Sequence, residues 1–223
     1  RDWSSDVCSS DLGNVGRSIA RELLSNGHDV LLIDKDPKAM KMESVPNADW
    51  LLADACEIVS LDNAKLEICN VLVAATGDDK VNLVVSFLAK TEYGVPRVVA
   101  RVNHPKNEWL FDGSWGVDVS VSTPRMLSAL VEEAVSVGDL VKLFSLSEGD
   151  ASLVEITLPE GSPCVGKQVQ EVSLPDDCAL AAMLRDGRVI APQPTDSFAA
   201  GDELLFVAAA GAERNLQGCF APR

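Results

Sequence analysis

Residues 13–36 read GNVGRSIARELLSNGHDVLLIDKD, and the order of features in this stretch decides the fold. A glycine-bounded turn opens a segment, Asn14 to Asn26, in which Val15, Ile19, Leu23 and Leu24 recur at helical spacing. Asn26-Gly27 supplies the left-handed residue that ends a helix. The run 29–34, DVLLID, is short, apolar and closed by an acid, which suits a strand buried on both faces. Turn, helix and buried strand in that order are the opening of a parallel α/β unit.

Three more apolar runs follow at 49–53, 71–75 and 98–102, each separated from the last by a segment long enough for a helix. The alternation predicts an α/β fold, a Rossmann-like doubly wound parallel sheet. A further short strand at 117–121 leads into Ser122-Thr123-Pro124, where Thr123 caps a helix and Pro124 takes its first position. That helix is expected to run to Val137. Its stripe of Met126, Leu127, Leu130, Val131, Ala134 and Val135 is wider than one side of a sheet needs, and suits packing on another subunit. Gly138-Asp139 marks the expected boundary. Beyond it, runs of period two at 140–146, 152–157, 179–184 and 203–209 predict strands, with a short helix at 165–172 and turns at Gly201-Asp202 and Arg185-Asp186-Gly187-Arg188. Asp-Gly supports the two positive φ angles of a type I′ hairpin. The expected organisation is a domain at 13–137 followed by a small α+β, β-rich domain at 139–221.

Residues 1–12, RDWSSDVCSSDL, do not match the helix-and-strand pattern that begins at Gly13. They carry neither the apolar run of a buried strand nor the regions of a signal peptide. They resemble a translated sequencing-adapter fragment, and the expectation is an artefact in place of the native first strand, leaving the sheet without its central member.

Composition bounds the function. The 223 residues are 47% hydrophobic, enough for a core in each of two domains. A formal charge of −15 repels polyphosphate backbones, which excludes nucleic acid as a partner in the absence of a basic stripe. The longest apolar runs, such as 71–75 and 204–210, fall well short of the roughly 20 residues of a membrane span. Six cysteines at 8, 56, 69, 164, 178 and 219 form no Cys-x-x-Cys pair, and with only His28 and His104 beside them no metal site is expected. Reduced thiols in a cytoplasmic protein are the expectation.

Gly13 and Gly16 allow a sharp turn and a close approach of helix to sheet, and the helix start offers amides and partial positive charge to a diphosphate. Asp34 lies 18 residues after Gly16, at the tip of the second strand, where an acid accepts hydrogen bonds from ribose hydroxyls and excludes a 2′-phosphate. Ligands of parallel sheets collect at the carboxyl ends of strands. There stand Asp54, Thr76-Gly77-Asp78-Asp79, and Arg101 with Asn103 and His104. Asp54 suits adenine or ribose, Thr76 and Gly77 a phosphate or the second ribose, and Arg101 a phosphate. His104, before Pro105, reads as a turn residue.

The phrases GNVGRSIARELLSNGHDVLLIDKD, LLADAC, VLVAATGDDKVNLVVSFLAK and VVARVNHP resemble the N-domain of the TrkA-type regulators of potassium conductance, over residues 13 to about 137. SLVEITLPEGSPCVGKQVQEV and FAAGDELLFVA are similar to the accompanying C-domain. The resemblance implies a cytoplasmic regulatory subunit, peripheral to the inner membrane face, that binds NAD(H) or adenine nucleotides such as ATP and ADP. It implies a homodimer assembling into a ring on a membrane potassium transporter or channel subunit. By that analogy Gly13, Asn14, Val15 and Gly16 hold the pyrophosphate, Asp34 the ribose, Asp54 the adenosine half, Thr76 and Gly77 the middle of the cofactor, and Arg101 a phosphate. Asp11 departs from the pattern by standing where the family has its first glycine, and an uncharged Asn14 favours NAD(H) over nucleoside triphosphates. The alternative is an NAD-dependent oxidoreductase. Hydride transfer from an alcohol or amine needs a positioned proton acceptor, and after residue 139 there is no His or Tyr, only Lys142 and Lys167. A regulatory protein, not an enzyme, is the expectation. A third reading is a detached regulatory tail of an antiporter.

Overall fold

The computed structural model describes residues 6–10, 13–135, 137–146, 151–209 and 211–221. They divide into two compact units, 1–124 and 125–223.

The first unit contains β1 (Val7–Ser10), α1 (Asn14–Ser25), β2 (Val30–Asp34), β3 (Asp49–Leu52), α2 (Ile58–Asn63), β4 (Val71–Ala74), α3 (Asp79–Thr91), β5 (Arg97–Val102) and β6 (Val119–Ser122). The strands form one sheet in the order β3-β2-β1-β4-β5-β6, with every pairing parallel. Successive residues of β2 feed opposite faces. Leu31 and Ile33 pack with Leu61, Leu66, Leu72 and Val85, whereas Val30 and Leu32 pack with Ala20, Val45 and Val73. This two-sided burial is what the unbroken VLLI run requires. Gly27, at φ +88°, ends α1 by donating its amide to the Leu24 carbonyl.

The structure corrects three expectations. Val7–Ser10 does form a strand, fully buried at the centre of the sheet, despite carrying two serines. Parallel pairing with Val30–Ile33 on one side and Val71–Ala74 on the other satisfies its backbone, which overrides the polar composition. The cost is local, since the Ser9 and Ser10 hydroxyls are buried without a hydrogen-bond partner. Second, Cys8 and Cys69 are bonded to each other, their Cα atoms 6.5 Å apart. The pairing of β1 with β4 brings residues 61 positions apart together, which sequence spacing does not reveal. Third, the β2–β3 and β5–β6 links carry no α-helix. They are built of 3-10 turns, Pro37–Ala39 and Met42–Ser44 in one, Pro105–Leu110 and Gly113–Trp115 in the other. Pro46 breaks the first link, and the left-handed Gly116 (φ +73°) closes a turn in the second.

The second unit opens within α4 (Thr123–Val135), on which Met126, Leu127, Leu130 and Val131 are exposed. Strands β7 (Val141–Ser145), β8 (Ala151–Thr157), β9 (Cys178–Arg185), β10 (Arg188–Ile190) and β11 (Glu203–Ala209) form an antiparallel sheet in the order β10-β9-β11-β8-β7. Asp186 (φ +51°) and Gly187 (φ +72°) make the β9–β10 hairpin as their residue types predict. The 165–172 segment holds only a 3-10 turn, Val169–Glu171. The last helix, α5 (Glu213–Phe220), has no counterpart in the sequence reading. Its apolar residues Leu216, Cys219 and Phe220 span little more than one turn, too short a stretch to read as a periodicity, yet Leu216 and Phe220 are fully buried, and Phe220 lies against Phe198 and Phe206. Asp202, wholly buried before β11, accepts from Arg185 Nε at 2.6 Å, Arg185 Nη2 at 2.7 Å and the Ala199 amide at 2.7 Å.

Candidate functional site

The strand order of the first sheet reverses between β1 and β4, and a crevice opens at their carboxyl ends. A cavity of about 610 Å³ lies there, within the usual size range of small-molecule sites. Its wall is made by the start of α1 (Gly13, Arg17), the tip of β2 (Asp34, Lys35), the tip of β3 (Ala53, Asp54) and the loop after β4 (Thr76, Gly77, Asp78), with Ser10 of β1 as part of the lining. Four cations, Arg17, Lys35, Lys38 and Lys41, meet four carboxylates, Asp34, Asp36, Asp54 and Asp78. In a chain of net charge −15 this balance removes the general repulsion of an anion and leaves separate places for phosphate and hydroxyl groups.

Each group is held by its neighbours. Gly13 caps α1 in an extended conformation (φ −64°, ψ −178°), and the Arg17 amide donates to its carbonyl at 3.2 Å. No acid stands in the first turn of α1, so the helix's partial positive end is not neutralised by its own side chains. One turn on, Arg17 Nη2 donates to Asn14 Oδ1 at 2.8 Å. Asp34 Oδ1 accepts the Asp36 amide at 2.8 Å, which turns the chain sharply after β2. Asp54 accepts the Cys56 amide at 3.0 Å and Lys35 Nζ at 3.3 Å. The Cys56 amide first, and then the Lys35 ammonium, hold the Asp54 carboxyl below its ordinary value of 3.8. Burial, with Asp54 beside it, pushes the Cys56 thiol up, which keeps it protonated and unreactive.

Of the nine residues singled out from sequence, Gly13, Asp34, Asp54, Thr76 and Gly77 line this cavity. Asn14, Val15 and Gly16 form the first turn of α1 directly behind Gly13. Arg101 does not belong to the lining. It lies within β5, its Nε buried without a partner, and it is the Arg101 carbonyl that is tied to the α3 region, by Asn82 Nδ2 at 2.8 Å. Asp11 lies outside the described residues. His104 caps the 3-10 turn at Pro105, its Nδ1 accepting the Lys106 amide at 3.3 Å, as a turn residue does.

Sequence reasoning missed the cations of the rim and Asn82 of α3, and placed Asp79 after the fourth strand without giving it a role. Asp79 is buried and accepts from Asn103 N (2.6 Å), Asn103 Nδ2 (3.0 Å), His104 N (3.0 Å) and Asn107 Nδ2 (2.8 Å). Burial alone would raise its carboxyl, but these donors outweigh it and hold the group below its ordinary value. Asn82 is wholly buried. The available signal was an amide side chain inside the apolar run VNLVV, where a polar residue survives only with a dedicated network.

The sheet order, the glycine turn and the acid at the tip of β2 define the class of this molecule, a Rossmann-type nucleotide-binding domain joined to a small antiparallel β domain. Residues 11–123 match the TrkA-N domain and residues 153–217 the TrkA-C domain. The chain is 55% identical over 216 residues to the Trk system potassium uptake protein TrkA of Mycobacterium tuberculosis, a match that covers 97% of this chain and 98% of that protein. It therefore belongs to the TrkA family of potassium-uptake proteins. Among solved structures it resembles the GsuK channel bound to NAD, with a TM-score of 0.65 and 15% identity over 100% of this chain and 41% of that one. It also resembles GsuK bound to ADP, with a TM-score of 0.54 and 15% identity over 62% of this chain and 36% of that one. The chain thus spans well under half the length of these channel structures. Among the described residues no helix is long and apolar enough to cross a membrane, and no group of three or more His, Cys, Asp or Glu is arranged to hold a metal ion.

Proposed function

We propose that this chain is a cytoplasmic regulatory subunit that binds NAD(H) in the cavity between Gly13 and Asp34 and gates a membrane potassium transporter or channel of the Trk or Ktr type. The observation that carries the reading is that the Gly13 turn and the Asp34 carboxylate line one cavity. The start of α1, through Gly13, Asn14, Val15 and Gly16, offers backbone amides to a pyrophosphate. Asp34 offers an acceptor to ribose hydroxyls, and Asp54 serves the adenosine half once Lys35 yields. Thr76 and Gly77 border the middle of the ligand. Arg101 holds a phosphate only if its guanidinium leaves its place in β5. Asn14 is neutral, which favours NAD(H), while Arg17 returns a cation to that turn and keeps ATP and ADP in the set.

The domains are 13–137 and 139–221. The exposed apolar stripe of α4 is the surface for a second copy, and such dimers assemble into a ring beneath the membrane partner. Residues 1–12 are foreign to the native chain, a reading supported by the buried, unpaired hydroxyls of Ser9 and Ser10 in a strand position that parallel sheets fill with apolar residues. The chain serves regulation and not catalysis, a reading supported by its place in the TrkA family of potassium-uptake proteins. The test is titration calorimetry with NADH, NAD and ATP, combined with analytical ultracentrifugation. Binding without turnover, and a change of assembly size on binding, is expected. Absence of heat with all three nucleotides, or steady nicotinamide reduction with a hydroxy or amino acid, overturns the proposal.

A further inference from the structure

The Thr76–Gly77–Asp78 loop lines the cavity, yet the Thr76 side chain is engaged in a network that the binding role does not explain. Thr76 Oγ1 is 2.6 Å from Asn82 Oδ1 and 3.1 Å from the Asp78 carbonyl, and it accepts the Asp78 amide at 3.2 Å. A threonine hydroxyl has one proton to give. Both of these acceptors are internal, so that proton is committed within the loop. Asn82 in turn accepts the Thr76 amide at 2.8 Å, and its Nδ2 donates to the Thr76 carbonyl at 3.1 Å and the Arg101 carbonyl at 2.8 Å. One wholly buried side chain thus fixes both backbone groups of Thr76 and its hydroxyl, and ties them to the end of β5. Asn103 Nδ2 adds a further bond to the Thr76 carbonyl at 2.8 Å. At Gly77 the chain is open, for an added Cβ would meet nothing within 4 Å.

We infer that Asn82 is a positioning residue for the nucleotide site, holding the Thr76 hydroxyl as an internal latch so that the loop presents Gly77 backbone, not the threonine side chain, to the ligand. This rests on the nucleotide-binding reading given above. A ligand confined to the adenosine half, such as AMP, uses the Gly13 and Asp34 side of the cavity. A dinucleotide must also cross the Thr76–Gly77 loop. Loss of the latch therefore separates the two ligands.

The test is titration of AMP and NADH against the full chain and the variants Asn82→Ala, Asn82→Asp, Thr76→Val and the Asn82→Ala/Thr76→Val double variant. The expected result for Asn82→Ala is an NADH affinity at least about tenfold weaker, the scale of one lost hydrogen bond to a ligand, with AMP affinity held within about twofold. The double variant should be no worse than the weaker single variant, because both break the same latch. Asn82→Asp keeps the acceptor and loses the donor. It should weaken NADH binding at neutral pH and recover as the pH is lowered and the carboxyl gains a proton. That variant carries the test should Asn82→Ala fail to fold. Parallel loss of AMP and NADH, additive losses in the double variant, or unchanged NADH affinity in Asn82→Asp overturns the inference. If the unaltered chain binds neither AMP nor NADH, the nucleotide-binding reading itself fails, which is a distinct result.

Discussion

Replacing Asp34 with alanine tests the acid at the tip of β2 directly. In the structure Asp34 Oδ1 accepts the Asp36 amide at 2.8 Å, so the carboxylate both shapes the turn after β2 and lines the cavity. A hydrogen bond from a ligand hydroxyl to a charged acceptor contributes about 1.5–3 kcal/mol. Its loss predicts NADH binding weaker by roughly 10- to 150-fold. Asp34→Asn retains an acceptor for the Asp36 amide while removing the charge, and should fall between the two. The same carboxylate repels a 2′-phosphate, so Asp34→Ala should lose less affinity for NADPH than for NADH. Titration calorimetry of both cofactors against the three proteins gives the ratios, with circular dichroism confirming the fold. An Asp34→Ala protein that binds NADH as tightly as the unaltered chain, or that loses NADH and NADPH equally, refutes the assignment of Asp34 to the ribose.

Arg185→Ala should leave the wholly buried Asp202 carboxylate without its two guanidinium donors. The loss in urea-unfolding free energy should be about 3 kcal/mol, at the low end for a stripped buried charge because the Arg185 side chain is 39% exposed. Gly116→Ala combines a left-handed conformation (φ +73°) with a Cβ that would stand 2.7 Å from Lys90 Cβ and 2.8 Å from the Ser86 carbonyl oxygen. It should cost at least about 1–2 kcal/mol, read as a fall in Tm, and an unchanged Tm would show that α3 yields at that point. Asp79 has a folded pKa below its unfolded value of 3.8, so its bonds stabilise the first unit above that value and are lost as acid protonates the carboxyl. Asp79→Asn should therefore lower stability at neutral pH and flatten the acid limb of the stability profile, as measured by denaturant unfolding across a pH series.

Where residues act locally, the sequence was sufficient. The apolar run ending at Asp34 became β2, Asn26-Gly27 stopped α1 and Asp186-Gly187 made its hairpin, because each rests on backbone geometry fixed by neighbouring residues. Asp34 and Gly13 could be placed together for the same reason, since strand order in a parallel sheet puts both at one edge. What escaped notice depends on partners distant in the chain. The burial of Val7–Ser10 comes from strands beginning at Val30 and Val71. Asn82 has its meaning only through Thr76 and Arg101, and Arg101, although next to the end of β5, stays out of the cavity lining. The rim lysines follow Asp34 closely in sequence, but it took the 3-10 turn at Pro37–Ala39 to bring them to the cavity.

The two ends of α3 are both fastened. At the start, Asp79 and Asn82 join it to the tips of β4 and β5, and near the end Lys90 Nζ reaches both carboxylate oxygens of Asp118, at 2.9 and 2.8 Å, and the Pro96 carbonyl at 2.9 Å. A rod pinned at both extremities has no slack in which to dissipate a push. The Thr76–Gly77 loop is therefore held in fixed register with Asp118 and with the Phe87–Trp115 ring pair by one stiff span.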